Sequence, residues 1–389
     1  MKALVRILIT EILVAGCFAG TVAAQTVVVG TSDPDIDIAA VQAAVDRGGV
    51  VVLRGHFSFD HPSASRGVLP DLIAMVVVSK EVTVSGTWDE HGEMTTIAGG
   101  EIPFAVEAPG ADVTIKRLRF VRPKRSAIFA DAVGGLAIES CAIENVEALP
   151  PLWNPAGISL GIGIHVSSLL GLPTPERPGK PENVHGKVSI VDNEVSIGEG
   201  ADHGVGIMVV SVGDSEQPVE VDISGNTVRN ANQEGINLKY IGGRVRVERN
   251  VVNSNTVYAG PARGPIVGIH CLGSGSYLIV RNRVDIADPN GAGIRVRGFA
   301  SIGLVIEHTI SDNDVTMSTP EGAVLGPGSA GIDVRGFARD NIVNGNRIRG
   351  HGRVAVSLAR EGMEIPAGYK IDQNDIEDFI SSPVDGGKK

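Results

Sequence analysis

One six-residue pattern, apolar-x-x-Asn-x-apolar, recurs seven times in the second half of this chain. It reads "IVDNEV" around Asn193, "ISGNTV" around Asn226, "VERNVV" around Asn250, "IVRNRV" around Asn282, "ISDNDV" around Asn313, "VNGNRI" around Asn346 and "IDQNDI" around Asn374. Successive Asn spacings are 33, 24, 32, 31, 33 and 28 residues. Between them lie Gly-Ile segments led by Ile207, Ile236, Ile269, Ile294 and Ile332. Two of these extend into near-identical octapeptides, "GIRVRGFA" at 293–300 and "GIDVRGFA" at 331–338, which differ only by an Arg and an Asp. A unit this short cannot bury an apolar face alone, so the chain must stack repeats on one another.

The units alternate apolar and other residues with period two, which specifies strands. The composition agrees: 43% hydrophobic, only 4% aromatic and 50 Gly, the profile of many short strands and turns. A helical period appears only in "DIAAVQAAVDRGGVVVL", Asp37 to Leu53. Helical repeats and the strand-helix leucine-rich type are therefore disfavoured. A propeller blade needs four strands and roughly 40 residues, more than most units contain. What remains is a coil of two or three short strands per turn, with insertions confined to corner loops.

These segments resemble the right-handed parallel β-helix superfamily of pectate lyases, polygalacturonases and their relatives. The "I-x-x-N-x-I" and "G-I-x-V" segments carry the likeness over residues 50–376, and the helix-then-strand opening at Asp37 adds to it. The resemblance implies an all-β fold, a single right-handed parallel β-helix of roughly ten coils with an N-terminal capping helix. The expected organisation is a signal peptide at 1–24, an N-terminal segment and capping helix at 25–49, the β-helix at 50–380 and a tail at 381–389. In the helix Ile38, Val41 and Val45 share one face and Gly48-Gly49 ends it, so it would plug the open apolar end of the coil. The superfamily hosts lyases, hydrolases, epimerases and proteins without catalysis, so the likeness speaks to fold and not to activity.

The Asn row reads as structure. Asn tolerates left-handed backbone at a tight corner, and its amide both donates and accepts, so stacked Asn residues would satisfy one another. Cys141, in "IESCAI", takes the same place on an earlier rung. Cys141 and Cys271 lie in apolar strand patterns and read as buried thiols; neither a disulfide framework nor a zinc site is implied.

The N-terminus carries Lys2 and Arg6, an apolar run from Ile12 to Ala24 and small residues before Gln25, the layout of an export signal. Val14-Ala15-Gly16-Cys17 also resembles a lipoprotein signal, in which Cys17 would carry a lipid anchor. The expected location is periplasmic or secreted, with no membrane span in the mature chain. Net charge is −11, which argues against nucleic acid as a partner.

On each Gly-Ile strand the residue after the Ile points away from the core. Read along successive rungs, the outward positions are His165, Met208, Asn237 with Lys239, His270, Arg295 with Arg297, Asp333 with Arg335, and Ser357. With rungs about 4.8 Å apart, Arg295 and Asp333 should stand on top of each other. Stacked cations repel, so Lys239, His270, Arg295, Arg297 and Arg335 on neighbouring rungs of an acidic chain suggest an anionic ligand. The competing reading makes Arg295–Asp333 an exposed ion pair worth roughly 0–1 kcal/mol. Insertions at Leu169 to Gly186, Asn253 to Pro265 and Thr316 to Ser329 flank these strands and would wall a groove, presenting Tyr258 and Arg263.

Such a groove fits a uronate-type polysaccharide. β-Elimination or C5-epimerisation removes the proton α to a carboxylate. Lys239 or His270 would take that proton, with Arg295, Arg297 and Arg335 as carboxylate clamps and His165, Asn237, Tyr258 and Arg263 as substrate contacts. Asp333 would orient an Arg or help to hold calcium, the ion that the resemblance to lyases implies, although the chain shows no dense acidic cluster. Hydrolysis needs two carboxyls about 5 to 9.5 Å apart, and the stripe offers only one. "GHG" at Gly350 to Gly352 lacks the acidic segment that would accompany it in a polygalacturonase and reads as a turn. Asp202 and His203 in "GADHG" point to opposite sides of an extended chain. A non-catalytic carbohydrate-binding or surface β-helix is the alternative.

Overall fold

In the computed structural model the described residues are 25–61, 73–149, 160–168, 183–199, 201, 203–254, 264–298, 306–335, 338–358, 369–379 and 384–385. The export signal with Cys17, Asp202, Tyr258 and Arg263 lie outside them. Every strand-to-strand ladder runs parallel, and each pairs a strand with its counterpart one turn further along the chain. Three walls result. The first runs from Gln25–Val29 and Gly49–Arg54 through Val219–Ser224, Gly243–Glu248 and Gly275–Val280 to Lys370–Asp372. The second is an 11-stranded sheet from His56–Ser58 to Asp375–Glu377. The third carries the Gly-Ile strands, among them His203–Val212, Glu234–Ile241, Val267–Leu272, Ala292–Arg297 and Ala330–Arg335. Two long strands, Ile102–Lys116 and Ser126–Glu139, turn the corner between third and first walls and join them into one sheet. The molecule is a right-handed parallel β-helix, the hand that parallel crossovers adopt.

The core is a set of stacked columns. Ile207, Ile236, Ile269, Ile294 and Ile332 stand in register and are all fully buried. Val228, Val252, Val284 and Val315 form the facing column on the second wall. The Gly before each Ile is explained by that facing column. A Cβ on Gly268 would run into Val284 Cγ1 and lie 2.6 Å from the carbonyl oxygen of Gly293, and Gly206, Gly235 and Gly293 meet the equivalent neighbours. Along this line only a hydrogen fits between the two columns.

The Asn ladder forms as expected, with one correction. Asn226 Nδ2 donates to Asn250 Oδ1 at 3.0 Å and to Ile190 O at 2.8 Å, while the Asn226 backbone N–H donates to the same Asn250 oxygen at 3.0 Å. Asn250 repeats the pattern with Asn282, and Asn313 with Asn346. Cys141 does occupy the same rung position, its N–H donating to Asn193 Oδ1 at 2.9 Å. The left-handed residue at the corner is not the Asn but the one before it: Asp192, Gly225, Arg249, Arg281, Asp312, Gly345 and Gln373 all have φ between 53° and 68°. That backbone reversal is what turns each Asn inward. Cys141 and Cys271 are buried and free.

The helix Pro34–Val45 closes the N-terminal end. Asp33 caps it by accepting from the Asp35 N–H, and Pro34 takes a first-turn position that needs no donor. Ile38, Val41 and Val45 are buried against the coil as the periodicity requires. Gln42 completes the seal: its Oε1 accepts from Val77 N and its Nε2 donates to Val77 O, both at 2.9 Å. It thus replaces a missing strand at the end of the third wall.

Candidate functional site

The register brings the predicted stripe together. Asn237, His270, Arg295 and Asp333 are successive partners on the third wall, followed by Ser357; Lys239, Leu272, Arg297 and Arg335 form the adjoining column. His165 and Met208 continue the first column toward the N-terminus.

The stripe is not the open cationic groove that the alternation suggests. His270, Arg295, Asp333 and Asn237 are all buried although they point away from the coil interior. Arg295–Asp333 is therefore not an exposed pair: its side chains are 3% and 0% exposed and Nε lies 2.7 Å from Oδ2. Arg335 Nε takes the other oxygen, Oδ1, at 2.5 Å. The segment after Thr319 folds over this point. Gly326 and Gly328 N–H groups bond Pro289 O and Asn290 Oδ1 at 2.9 Å, and Gly328 O accepts from Arg295 Nη2 at 3.3 Å. Both carboxylate oxygens of Asp333 are thus occupied by guanidinium groups. Among the described residues no three acidic, His or Cys side chains converge to hold a metal ion, and Asp333 has both oxygens on arginines where a calcium ligand would need one free.

The sequence reading missed Glu234. Its buried carboxylate lies 2.5 Å from His270 Nδ1 and 3.1 Å from Lys239 Nζ, and it also accepts from Asn237 Nδ2. Strict alternation hides it. Gly235 and Ile236 both direct their β-positions inward, so the period breaks between them and Glu234 emerges on the outer side with Asn237 and Lys239. One signal was available: the residue before this Gly is Val205, Val267, Ala292 or Ala330 on other rungs, and Glu only here.

Burial alone would raise the Glu234 carboxyl, but its hydrogen bonds to His270 and Lys239 and the positive charge of Lys239 outweigh this and hold it below the usual carboxylate range. It is therefore an anion at neutral pH. His270 is lowered, first by burial and further by Lys239 and Arg295, against the raising effect of Glu234. A neutral imidazole facing a carboxylate must carry its proton on Nδ1. Its Nε2 then holds the free lone pair, and that atom is buried with no hydrogen-bond partner. His165 is likewise held neutral, brought down to about 3 by burial and Arg125, with Phe129 edge-on at 5.1 Å. Its Nε2 also lacks a partner.

Glu234 and Asp333 are separated by three rungs, about 14 Å at the usual strand spacing, too far for paired-carboxyl hydrolysis. His351 in "GHG" follows a strand end at Gly350 (φ 98°) and donates its N–H to Met317 O at 2.9 Å, as a turn residue does.

No protein-family model matches the chain, and no curated protein matches it. Among solved structures it is similar to PfbA, a surface adhesin of Streptococcus pneumoniae, at 11% identity over 91% of each chain with TM-score 0.47. It is similar to the A-module of Azotobacter vinelandii mannuronan C-5 epimerase AlgE4 at 14% identity over 89% of this chain and 92% of that one, TM-score 0.47. The Dettilon tailspike protein matches at 12% identity over 90% of this chain and 68% of its own, TM-score 0.45. These similarities transfer no residue of the site and no activity. By its own strand register, the chain is a right-handed parallel β-helix protein closed at its N-terminal end by a helix.

Proposed function

We propose that this is an exported protein that acts on an acidic, uronate-type polysaccharide along the third wall, with His270 as the proton-abstracting base. The observation that carries the reading is the Glu234–His270 pair, with an ionised carboxylate on Nδ1 and an unpartnered lone pair on Nε2. A base of this kind removes the C5 proton of a uronate, the step shared by β-elimination and C5-epimerisation. Glu234 fixes the tautomer and stabilises the imidazolium that forms. Lys239 and Arg335, the less buried members of the stripe, would meet the substrate carboxylate and the enolate charge growing beside it. Lys239 is tied to Glu234 and serves as a cation rather than as the base. His270 Nε2 is buried, so substrate reaches it only after the outer face opens at this rung.

A second reading is favoured by the internal pairing of Lys239 and Arg335: the network staples rungs together, and the outer column binds an anionic chain without turnover. One experiment separates them. The protein is mixed with alginate, pectate or a glycosaminoglycan, with and without calcium; product unsaturation is followed by ultraviolet absorbance and C5 exchange by proton NMR in deuterium oxide. Turnover that His270→Gln abolishes, while retardation in a polysaccharide affinity gel persists, supports the base assignment. Retardation without absorbance or exchange supports the binder, and neither result in any polysaccharide overturns both.

A further inference from the structure

Between first-wall strand Val82–Ser85 and second-wall strand Thr96–Ala98 the chain leaves the coil as a short hairpin, at the corner opposite the third wall. Trp88 and Met94 bridge antiparallel across it. Its geometry is fixed by side chains: Asp89 Oδ1 accepts from the N–H groups of His91 and Glu93 at 2.8 Å, and Thr95 Oγ1 accepts from Thr87 N at 3.0 Å while donating to Leu53 O at 2.9 Å. On this rigid support Trp88 stands 50% exposed. An indole left half in water on an ordered hairpin is the unusual case, since Trp normally contributes its large apolar area to a core.

The ring is oriented by Arg117, whose guanidinium carbon lies 6.0 Å from the ring centroid. Beside the ring a cleft of about 340 Å³ opens, whose lining includes Arg54, His56, Trp88, Asp89 and Glu93 but not Arg117. The volume is at the small end of ligand clefts. His56 Nε2 and Glu93 Oε2 approach to 3.9 Å at its rim. An apolar plate beside one guanidinium, one imidazole and two carboxylates suits a ligand with an apolar face and a hydroxyl-bearing edge. Two carboxylates stand against the single guanidinium, so the cleft offers no surplus positive charge for a uronate.

We propose that this cleft binds a neutral pyranose ring, stacked by its C–H face on Trp88 with its hydroxyls bonded to Arg54 and Glu93. The site is independent of the third-wall reading, and either can fail alone. The chain has 2 Trp, so Trp153→Phe leaves Trp88 as the only indole reporter. Titration with cellotetraose, mannotetraose and galactotetraose should give a saturable emission change with at least one of them. Tetragalacturonate should bind at least tenfold more weakly. Calorimetry on the otherwise unaltered protein should show binding weakened more than tenfold by Trp88→Ala and several-fold by Glu93→Gln, with circular dichroism unchanged. The proposal is overturned if no neutral tetrasaccharide binds, if tetragalacturonate binds as tightly, or if Trp88→Ala leaves the calorimetric affinity intact.

Discussion

Asn250 shows how much one side chain carries in this fold. Its Oδ1 accepts from both the backbone and the side-chain N–H of Asn226, and its Nδ2 donates to Asn282. Asn250→Ala strands the buried Asn226 backbone N–H on one rung and takes a donor from Ile223 O and from Asn282 Oδ1, each loss costing about 1–3 kcal/mol. We expect a loss of about 3–5 kcal/mol in urea titration, and Asn250→Asp to be no substitute, because a carboxylate cannot donate to Asn282. His308 makes the opposite kind of demand. It sits inside the coil in register with Tyr277, both ring nitrogens lack partners, and burial brings it down to about 3. The native state therefore binds fewer protons than the unfolded chain between that value and the ordinary 6.5, so stability rises with pH across this window. Each such His contributes up to about 1.4 kcal/mol per pH unit. His308→Leu should flatten the acid limb of a melting-temperature profile between pH 3 and 6.5, leaving the part due to His165 and His270. An unchanged slope would place His308 in contact with water.

At the scale of the strand, the Gly-Ile segment joins fold and site. Gly268→Ala drives a methyl into Val284 and the Gly293 carbonyl, and overpacking of this kind costs about 1–3 kcal/mol. Val284→Ala should recover part of that loss, which a double-mutant cycle by urea denaturation would register as coupling. The repeat, the parallel stacking, the inward Ile column and the Arg295–Asp333 register were all legible from spacing, because period two and a fixed rung distance leave little freedom. Two features were not. The left-handed corner falls on Asp192, Arg249 or Gln373 as readily as on Gly225, so residue type does not mark it. Glu234 lies where Gly235 breaks the alternation, and a rule that assumes alternation looks past it. Burial of the outward stripe was also illegible, since which segments fold over an outer face is a tertiary property.

For the whole molecule, a solenoid touches only its neighbours, so stability is a sum of rung and interface contributions and opening begins at the weaker end. The two ends here are unequal. At the N-terminal end the helix buries Ile38, Val41 and Val45 and Gln42 bonds both polar groups of Val77. At the other end Lys370–Asp372 and Asp375–Glu377 are exposed or half-buried along their whole length, and Ile371, Ile376 and Phe379 are only partly covered. Hydrogen exchange followed by mass spectrometry should show amides of 370–377 exchanging first and those of the strands Val219–Ser224, Gly243–Glu248 and Gly275–Val280 last, with protection at 74–78 close to that of the centre. Gln42→Ala should then expose Ala74–Val78 preferentially, because it removes the only side chain bonded to both polar groups of Val77 among the described residues, while 370–377 is unmoved. Equal loss of protection at both ends would mean that the coil opens as one cooperative body, and the one-dimensional account would have to be abandoned.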